Sequence, residues 1–143
     1  MRQIAVFDTN VLLSGVGWKG KPYQCLELAR SGTVEALTCR EILDELTEKL
    51  QSKLQFSAEQ VAETLTDLLS FLRVLSITGQ LKAVEADPDD DKVVECATVG
   101  NATHIVSGDK RHLLTLGSYQ GIRIMSPAEF LQLVTATSSQ PTP

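Results

Sequence analysis

Short apolar runs alternate with amphipathic segments along most of the 143-residue chain. Apolar runs bounded by small or polar residues predict strands, whereas apolar positions recurring every three or four residues predict helices. Five runs have the strand pattern: residues 3–7, 34–38, 74–77, 104–107 and 122–125. Because strands that alternate with helices are typical of parallel βαβ units, we predict an α/β sandwich.

Helix starts are signalled by capping sequences at three places. Thr38–Glu41 and Ser57–Gln60 have the form of a capping box, and Ser126–Glu129 combines an N-cap with a first-turn proline. One helix is predicted to begin within residues 11–15, and a second to cover 23–30. The two helices that start at the capping boxes run to about 54 and 73. Further helices are predicted at 89–99 and 110–116, and the last one starts at 127. The first of them should break in the glycine-rich segment 15–22. We expect one domain over residues 1–134 and a disordered polar tail over 135–143.

Composition narrows the class of protein. The chain is 43% hydrophobic and 22% charged, which is typical of a globular domain, and no apolar run approaches the ~18 residues that span a bilayer. The apolar run near the start of the sequence has only four residues before Asp8, which is too short for a signal peptide. A cytoplasmic location is therefore expected. Three scattered cysteines predict buried, reduced thiols, and the two histidines lack the spacing of zinc ligands. The net charge of −5 by itself argues against nucleic-acid binding.

Two aspartates follow apolar strands directly. Asp8 comes after the first strand and before Thr9 and Asn10, and Asp109 ends the stretch 104–109. The carboxyl ends of parallel strands meet at one edge of a sheet, so we expect these side chains to lie close together there. The alternative for each is a simple helix N-cap.

A third aspartate is singled out by helical periodicity. The apolar stripe of the helix predicted at 89–99 has Asp90 at its centre, whereas Asp89 and Asp91 lie off it. A buried carboxylate needs a cation or hydrogen-bond donors, because burying it alone costs several kcal/mol. The alternative is that Asp89 or Asp90 caps the helix.

One glutamate lies at the boundary of a buried stripe. In the helix that starts near residue 39, Glu45 is closer to the apolar face than Glu41, Asp44 or Glu48. The side chain of Glu45 can therefore reach the edge of the sheet. The alternative is a solvated i,i+4 ion pair with Lys49.

Four acids from four segments can thus converge: Asp8, Glu45, Asp90 and Asp109. They offer only oxygen ligands, which favours Mg²⁺ or Mn²⁺ over zinc, with one or two ions bound. The usual task of such a site is phosphoryl chemistry.

At these residues the chain resembles the PIN-domain proteins, and in particular the VapC-like toxin ribonucleases. The resemblance spans about residues 3–134. The matching motifs are DTNVLLSG at 8–15, REILDEL at 40–46, DPDDDK at 87–92, VSGDKRHL at 106–113 and GIRIMSPAEFL at 121–131.

The resemblance implies a three-layer α/β/α sandwich around a parallel sheet of about five strands. It implies Mg²⁺-dependent hydrolysis of single-stranded RNA, homodimers, and inhibition by a cognate antitoxin. The four acids fall on the catalytic, metal-binding quartet of the family. The supporting positions are Asn10, Ser107, Asp87 and Asp91. Because residues 89–91 are all aspartates, the choice of Asp90 over its neighbours stays open.

Basic residues near the proposed site are candidates for binding RNA phosphates. The loop after the first helix contains Trp18, Lys19 and Lys21, and Lys110 and Arg111 follow Asp109 directly. In this interpretation Trp18 stacks on a base. The alternative is a solvated loop with the tryptophan packed back onto the core.

We therefore predict a metal-dependent endoribonuclease. A second hypothesis is a non-catalytic module of the same fold that binds nucleic acid or protein. A third, a phosphatase or phosphoacceptor domain, is disfavoured because the first strand ends in DTN and lacks the second aspartate of a DxD pair. Assigning four acids to a metal site leaves the remaining surface nearly neutral, which weakens the objection from net charge.

Overall fold

A computed structural model describes residues 2–81, 90–108 and 113–138, with side chains described as far as Ala136. Its strands are β1 (Ile4–Phe7), β2 (Glu35–Cys39), β3 (Leu72–Leu75), β4 (His104–Val106), β5 (Ser118–Tyr119) and β6 (Ile122–Met125). Its helices are α1 (Thr9–Gly17), α2 (Lys21–Arg30), α3 (Arg40–Ser52), α4 (Ala58–Leu69), α5 (Asp91–Val99), α6 (Leu113–Leu116) and α7 (Pro127–Ser138).

The strands form one sheet in the order β3-β2-β1-β4-β6-β5. All neighbours are parallel except β5, which pairs antiparallel with β6. The chain moves outward from β1 in one direction through β2 and β3 and then returns to the other side of β1 with β4. This reversal creates a crevice at the carboxyl ends of β1 and β4, where ligands bind in open α/β sheets.

Helices cover both faces of the sheet. Phe130 of α7 packs edge-on against Phe7 and His104, with ring centroids 6.3 Å and 5.6 Å away. The opposite face carries Leu37, against which the backbone of Gly100 at the end of α5 packs closely. The predicted three-layer α/β/α fold is confirmed, and its first strand is buried on both faces, as the continuous apolar sequence requires.

The sheet has six strands among the described residues, one more than predicted. The extra strand, β5, has only two residues and forms a tight turn with β6, so it has no detectable period. Strand β3 begins two residues earlier than expected, and α4 ends at Leu69. Helix α7 runs to Ser138, past the predicted start of the tail at 135, and residues 139–143 lie outside the described part.

The first helix breaks within the glycine-rich segment 15–22, as predicted: α1 ends at Gly17 and α2 begins at Lys21. The break does not come at Gly15, which lies inside α1. Gly15 instead lets α2 approach closely, because the side chain of Leu26 occupies the space where a Cβ would lie.

Two of the three predicted caps are confirmed. Ser57 and Gln60 form a reciprocal capping box, and Ser126 pairs with Glu129 in the same way. The predicted cap at Thr38 is wrong: Thr38 is a fully buried residue of β2, and Cys39 precedes α3 without a side-chain cap. Strand pairing with β3 extends β2 through this position and overrides the local capping signal.

All three cysteines are free and buried, as predicted. Within the described ranges, no helix has the length and apolar character needed to cross a membrane.

Candidate active site

Four segments reach the same edge of the sheet. Asp8 follows β1 and Ser107 follows β4, while α3 starts directly after β2. Helix α5 leads back along the sheet into β4, so its amino-terminal residues Asp90 and Asp91 lie at this edge as well. The topology therefore brings together acids that are up to 83 positions apart in the sequence.

Hydrogen bonds from Asn10 and Ser107 orient the carboxylate of Asp8. Its side chain is almost fully buried, with the residue only 4% exposed. Oδ1 accepts from the backbone N–H of Asn10 at 2.8 Å, which makes Asp8 the N-cap of α1. Oδ2 accepts from the hydroxyl of Ser107 at 2.7 Å. Asp8 thus caps helix α1 and also presents a carboxylate at the sheet edge. The N-cap and the strand-end carboxylate, which the sequence offered as alternatives, are therefore both present.

Glu45 does lean toward the sheet edge, where it meets two lysines. Its Oε1 accepts from the hydroxyl of Thr9 at 3.2 Å and from the ammonium group of Lys92. Its Oε2 accepts from Lys49 at 2.9 Å, and Lys49 also donates to Oδ1 of Asn10 at 2.9 Å. The i,i+4 ion pair is present, but it is one part of a network that joins α1, α3 and α5.

The charge state of Glu45 follows from these contacts. Burial raises the pKa of the carboxyl group, but hydrogen bonds from Lys92 and Lys49 outweigh burial and hold the pKa below its usual value. Glu45 is therefore a carboxylate at neutral pH, suited to holding a cation and unsuited to donating a proton.

The aspartates before α5 differ from the helical-wheel expectation. Asp90 occupies the N-cap position and is half-buried, whereas Asp91, the first helical residue, is only 8% exposed. The expectation that Asp91 lies off the buried face is wrong. Helix α5 is buried around most of its circumference, including every residue from Val93 to Ala97, so an apolar stripe does not define one inward direction.

The described donors suit a hard cation. Asp8, Glu45 and Asn10 offer only oxygen atoms, and two ammonium groups already lie on these oxygens. In the parts of the chain that the structure describes, no three His, Cys, Asp or Glu side chains are grouped closely enough to hold a metal ion. The fourth predicted acid, Asp109, lies outside the described residues, as does the supporting residue Asp87.

The predicted RNA-binding loop is exposed but distant from Asp8. Trp18 is 60% exposed, so the alternative in which it packs onto the core is wrong. It lies at the carboxyl end of α1 and Asp8 precedes the amino end, so nine helical residues, about 13 Å of helix, separate them. Lys19 and Lys21 are exposed in the same segment. The predicted contacts Lys110 and Arg111 lie outside the described residues.

Sequence reasoning did not assign a site role to Lys49 or Lys92. Lys49 was considered only as an ion-pair partner, and the helical period places Lys92 away from the buried stripe of α5. The available signal was a lysine directly after a run of acids in DPDDDK. Its contact with Glu45 depends on how α5 packs beside α3, which one segment alone does not reveal.

Comparison with known proteins agrees with this fold. The sequence profile of the PIN domain matches residues 4–111. A chain of VapBC2 from Rickettsia felis, solved bound to a DNA fragment from its promoter, aligns with a TM-score of 0.61 and 17% identity, covering 87% of this chain and 98% of that one. The RRP44 PIN domain of T. brucei aligns with a TM-score of 0.53 and 15% identity, covering 96% and 84%. No curated protein sequence matches significantly.

Proposed function

The chain belongs to the PIN domain family, whose members are generally nucleases, and on that premise we propose that it is a metal-dependent endoribonuclease acting on single-stranded RNA. The observation that carries the proposal is the Asp8 carboxylate, buried at the ligand-binding edge of the sheet and fixed by hydrogen bonds from Ser107 and Asn10. Such an arrangement has its charge oriented before any ligand arrives, and this preorganisation favours catalysis.

The residues we expect to hold the metal are Asp8, Glu45, Asp90 and Asp109. When bound, Mg²⁺ or Mn²⁺ supplies Lewis acidity for the attack of water on a phosphodiester. Ser107 and the Asn10 amide keep Asp8 in place, and Asp87 and Asp91 stay predicted supporting residues. Thr9 orients Glu45 through Oε1. Lys49 and Lys92 add positive charge at the rim, which attracts the phosphates of RNA.

The substrate path we propose runs from this rim along α1. Trp18 is exposed for stacking, and Lys19 and Lys21 beside it are exposed for phosphate contacts. Lys110 and Arg111 remain predicted contacts from the sequence. Because Trp18 lies about one helix length from Asp8, it would bind a nucleotide several positions away from the scissile bond.

The test is an RNA cleavage assay on the full chain with Mg²⁺ or Mn²⁺. Cleavage of a single-stranded RNA should stop with EDTA and fall by about 100-fold or more in Asp8→Asn, which removes the oriented charge. The matched control is Asp44→Asn, an exposed aspartate on α3 that should cleave at the wild-type rate. If Asp8→Asn cleaves as fast as the wild type, a contaminating nuclease is responsible and the proposal fails.

One observation favours a non-catalytic RNA-binding module instead. Both oxygens of Glu45 already hold ammonium groups, so this carboxylate is neutralised without a metal. Such a module would bind RNA equally well with EDTA and would produce no cleavage products. The same assay, run beside a binding measurement, separates the two functions.

We also propose that the chain is the toxin of a toxin–antitoxin pair. The likeness to a VapBC2 chain, together with the match to the PIN domain profile, supports this proposal. A cognate antitoxin, a homodimer and a cytoplasmic location stay predictions from the sequence.

A further inference from the structure

Glu45 is a carboxylate of the candidate site that contacts two cations. Lys92 lies on Oε1 and Lys49 on Oε2, and we call these two residues the lysine pair. The hydroxyl of Thr9 also donates to Oε1. Each oxygen of Glu45 is therefore already bonded to a cationic group.

The contacts are shielded from water. The side chains of Lys92, Lys49 and Glu45 are 17%, 22% and 25% exposed, well below the exposure of a solvated surface pair such as Arg40 with Asp44. Shielding weakens screening by solvent and salt, so charges here act on one another strongly.

The two ammonium groups disfavour a divalent ion on Glu45. Each carboxylate oxygen already accepts from a lysine, so the charge of Glu45 is compensated by these contacts. A divalent ion that binds Glu45 directly must displace Lys92 or remain close to both lysines. Either process costs free energy.

We propose that the ammonium group of Lys92 is a built-in cation of the site: it occupies Glu45 in place of a divalent ion, so Glu45 leaves the metal-binding set proposed above and the chain binds one divalent ion. The inference rests on the proposed metal-dependent function for its biological meaning. An ammonium group has three donors, so Lys92 bonded to Glu45 still has N–H groups for a phosphate oxygen of RNA.

The proposal is tested by counting bound Mn²⁺ without RNA, through isothermal titration calorimetry of the full chain and electron paramagnetic resonance of the free ion. The wild type should bind one Mn²⁺ per chain. Lys92→Met should bind two, because the freed Oε1 of Glu45 becomes available. Lys92→Arg keeps the charge and should bind one, as should the control Lys53→Met at the end of α3.

Two results overturn the proposal: two Mn²⁺ ions in the wild type, or one in a folded Lys92→Met. Circular dichroism establishes whether Lys92→Met is folded, and the wild-type count remains decisive if it is not. Two bound ions together with RNA cleavage would refute the role of Lys92 and leave the proposed function intact. No bound Mn²⁺ in the wild type would refute both.

Discussion

At the scale of single residues, the Asn10 amide and the Ser107 hydroxyl both bond the carboxylate of Asp8 but have different effects. The Asn10 amide bonds Oδ1 and anchors the start of α1, while the Ser107 hydroxyl bonds Oδ2 from the neighbouring strand end. Ser107 is fully buried, so its contact with Asp8 is shielded from water. We therefore assign Ser107 as a positioning residue for Asp8.

Ser107→Ala should reduce RNA cleavage by roughly 10-fold, an effect comparable to losing an outer partner of a metal ligand. It should lower the unfolding free energy by about 1 kcal/mol, since one buried hydrogen bond is lost. Ser107→Thr retains the hydroxyl and should keep most of the activity. Steady-state kinetics and titration of Mn²⁺ check the assignment: a purely structural role would leave Mn²⁺ affinity unchanged in Ser107→Ala, whereas a positioning role weakens it.

At the scale of elements, α5 is tied to the segment that follows β3 through Glu95. The carboxylate accepts hydrogen bonds from the backbone of Thr78 at 2.6 Å, Gly79 at 3.1 Å and Leu81 at 3.3 Å, and from the Thr78 hydroxyl. Burial raises the pKa of Glu95, but these donors outweigh it and hold the pKa below its usual value. The contact fixes one side of the helix that Asp90 precedes as the N-cap residue.

Stability should therefore depend on the ionisation of Glu95. Its pKa is lower in the folded chain than in the unfolded chain, so its contribution is complete above the ordinary value near 4.5 and is lost as the pH falls through the folded value. Glu95→Gln should cost on the order of 1–3 kcal/mol at pH 7.

The measurement is the free energy of unfolding in urea between about pH 7 and pH 3. The difference between wild type and Glu95→Gln should shrink as the pH falls below about 4.5. The matched control is Glu63→Gln, an exposed glutamate within α4, which should differ little from wild type at any pH. A difference that stays constant with pH would contradict the role of the charge.

At the scale of the whole molecule, a net charge of −5 limits the strength of RNA binding. The positive groups that the proposed RNA path uses in the described structure are few: the lysine pair at Glu45, and the lysines of the exposed segment that contains Trp18. Few phosphate contacts predict a weak, salt-sensitive association with RNA.

RNA affinity of the inactive Asp8→Asn chain should fall with salt, each phosphate contact adding roughly 0.7 to the slope of log K against log salt. Replacing Lys19 and Lys21 by alanine should reduce that slope by roughly 1.4 if both contact phosphates. The control is Arg2→Ala, which should leave the slope unchanged. Arg2 precedes the amino end of β1, so it lies at the other end of the strands from the candidate site. Fluorescence anisotropy with a labelled single-stranded RNA measures the affinity at each salt concentration. An unchanged slope in the variant that lacks Lys19 and Lys21 would exclude the segment around Trp18 from the interface.

Most of the fold was predictable because its elements have strong local signals. Buried parallel strands such as β1 are continuous apolar runs, and the caps at Ser57 and Ser126 use short side-chain contacts within one turn. The predictions failed where packing overrode local preference. Thr38 was taken into β2 by pairing with β3, and Asp91 is buried because α5 packs around most of its circumference.

In the candidate site, too, some features follow from the local sequence and others from tertiary packing. The sequence by itself determined the α/β class, the strand-end position of Asp8 and the oxygen-only chemistry of the acids, because each depends on residue type and period along one segment. Only the tertiary structure decided that Ser107 orients Asp8, that Asp91 is buried beside Asp90, and that Lys92 lies on Glu45. Those contacts join segments far apart in the chain, and their geometry is set by how α3 and α5 pack at the sheet edge, which no local pattern contains.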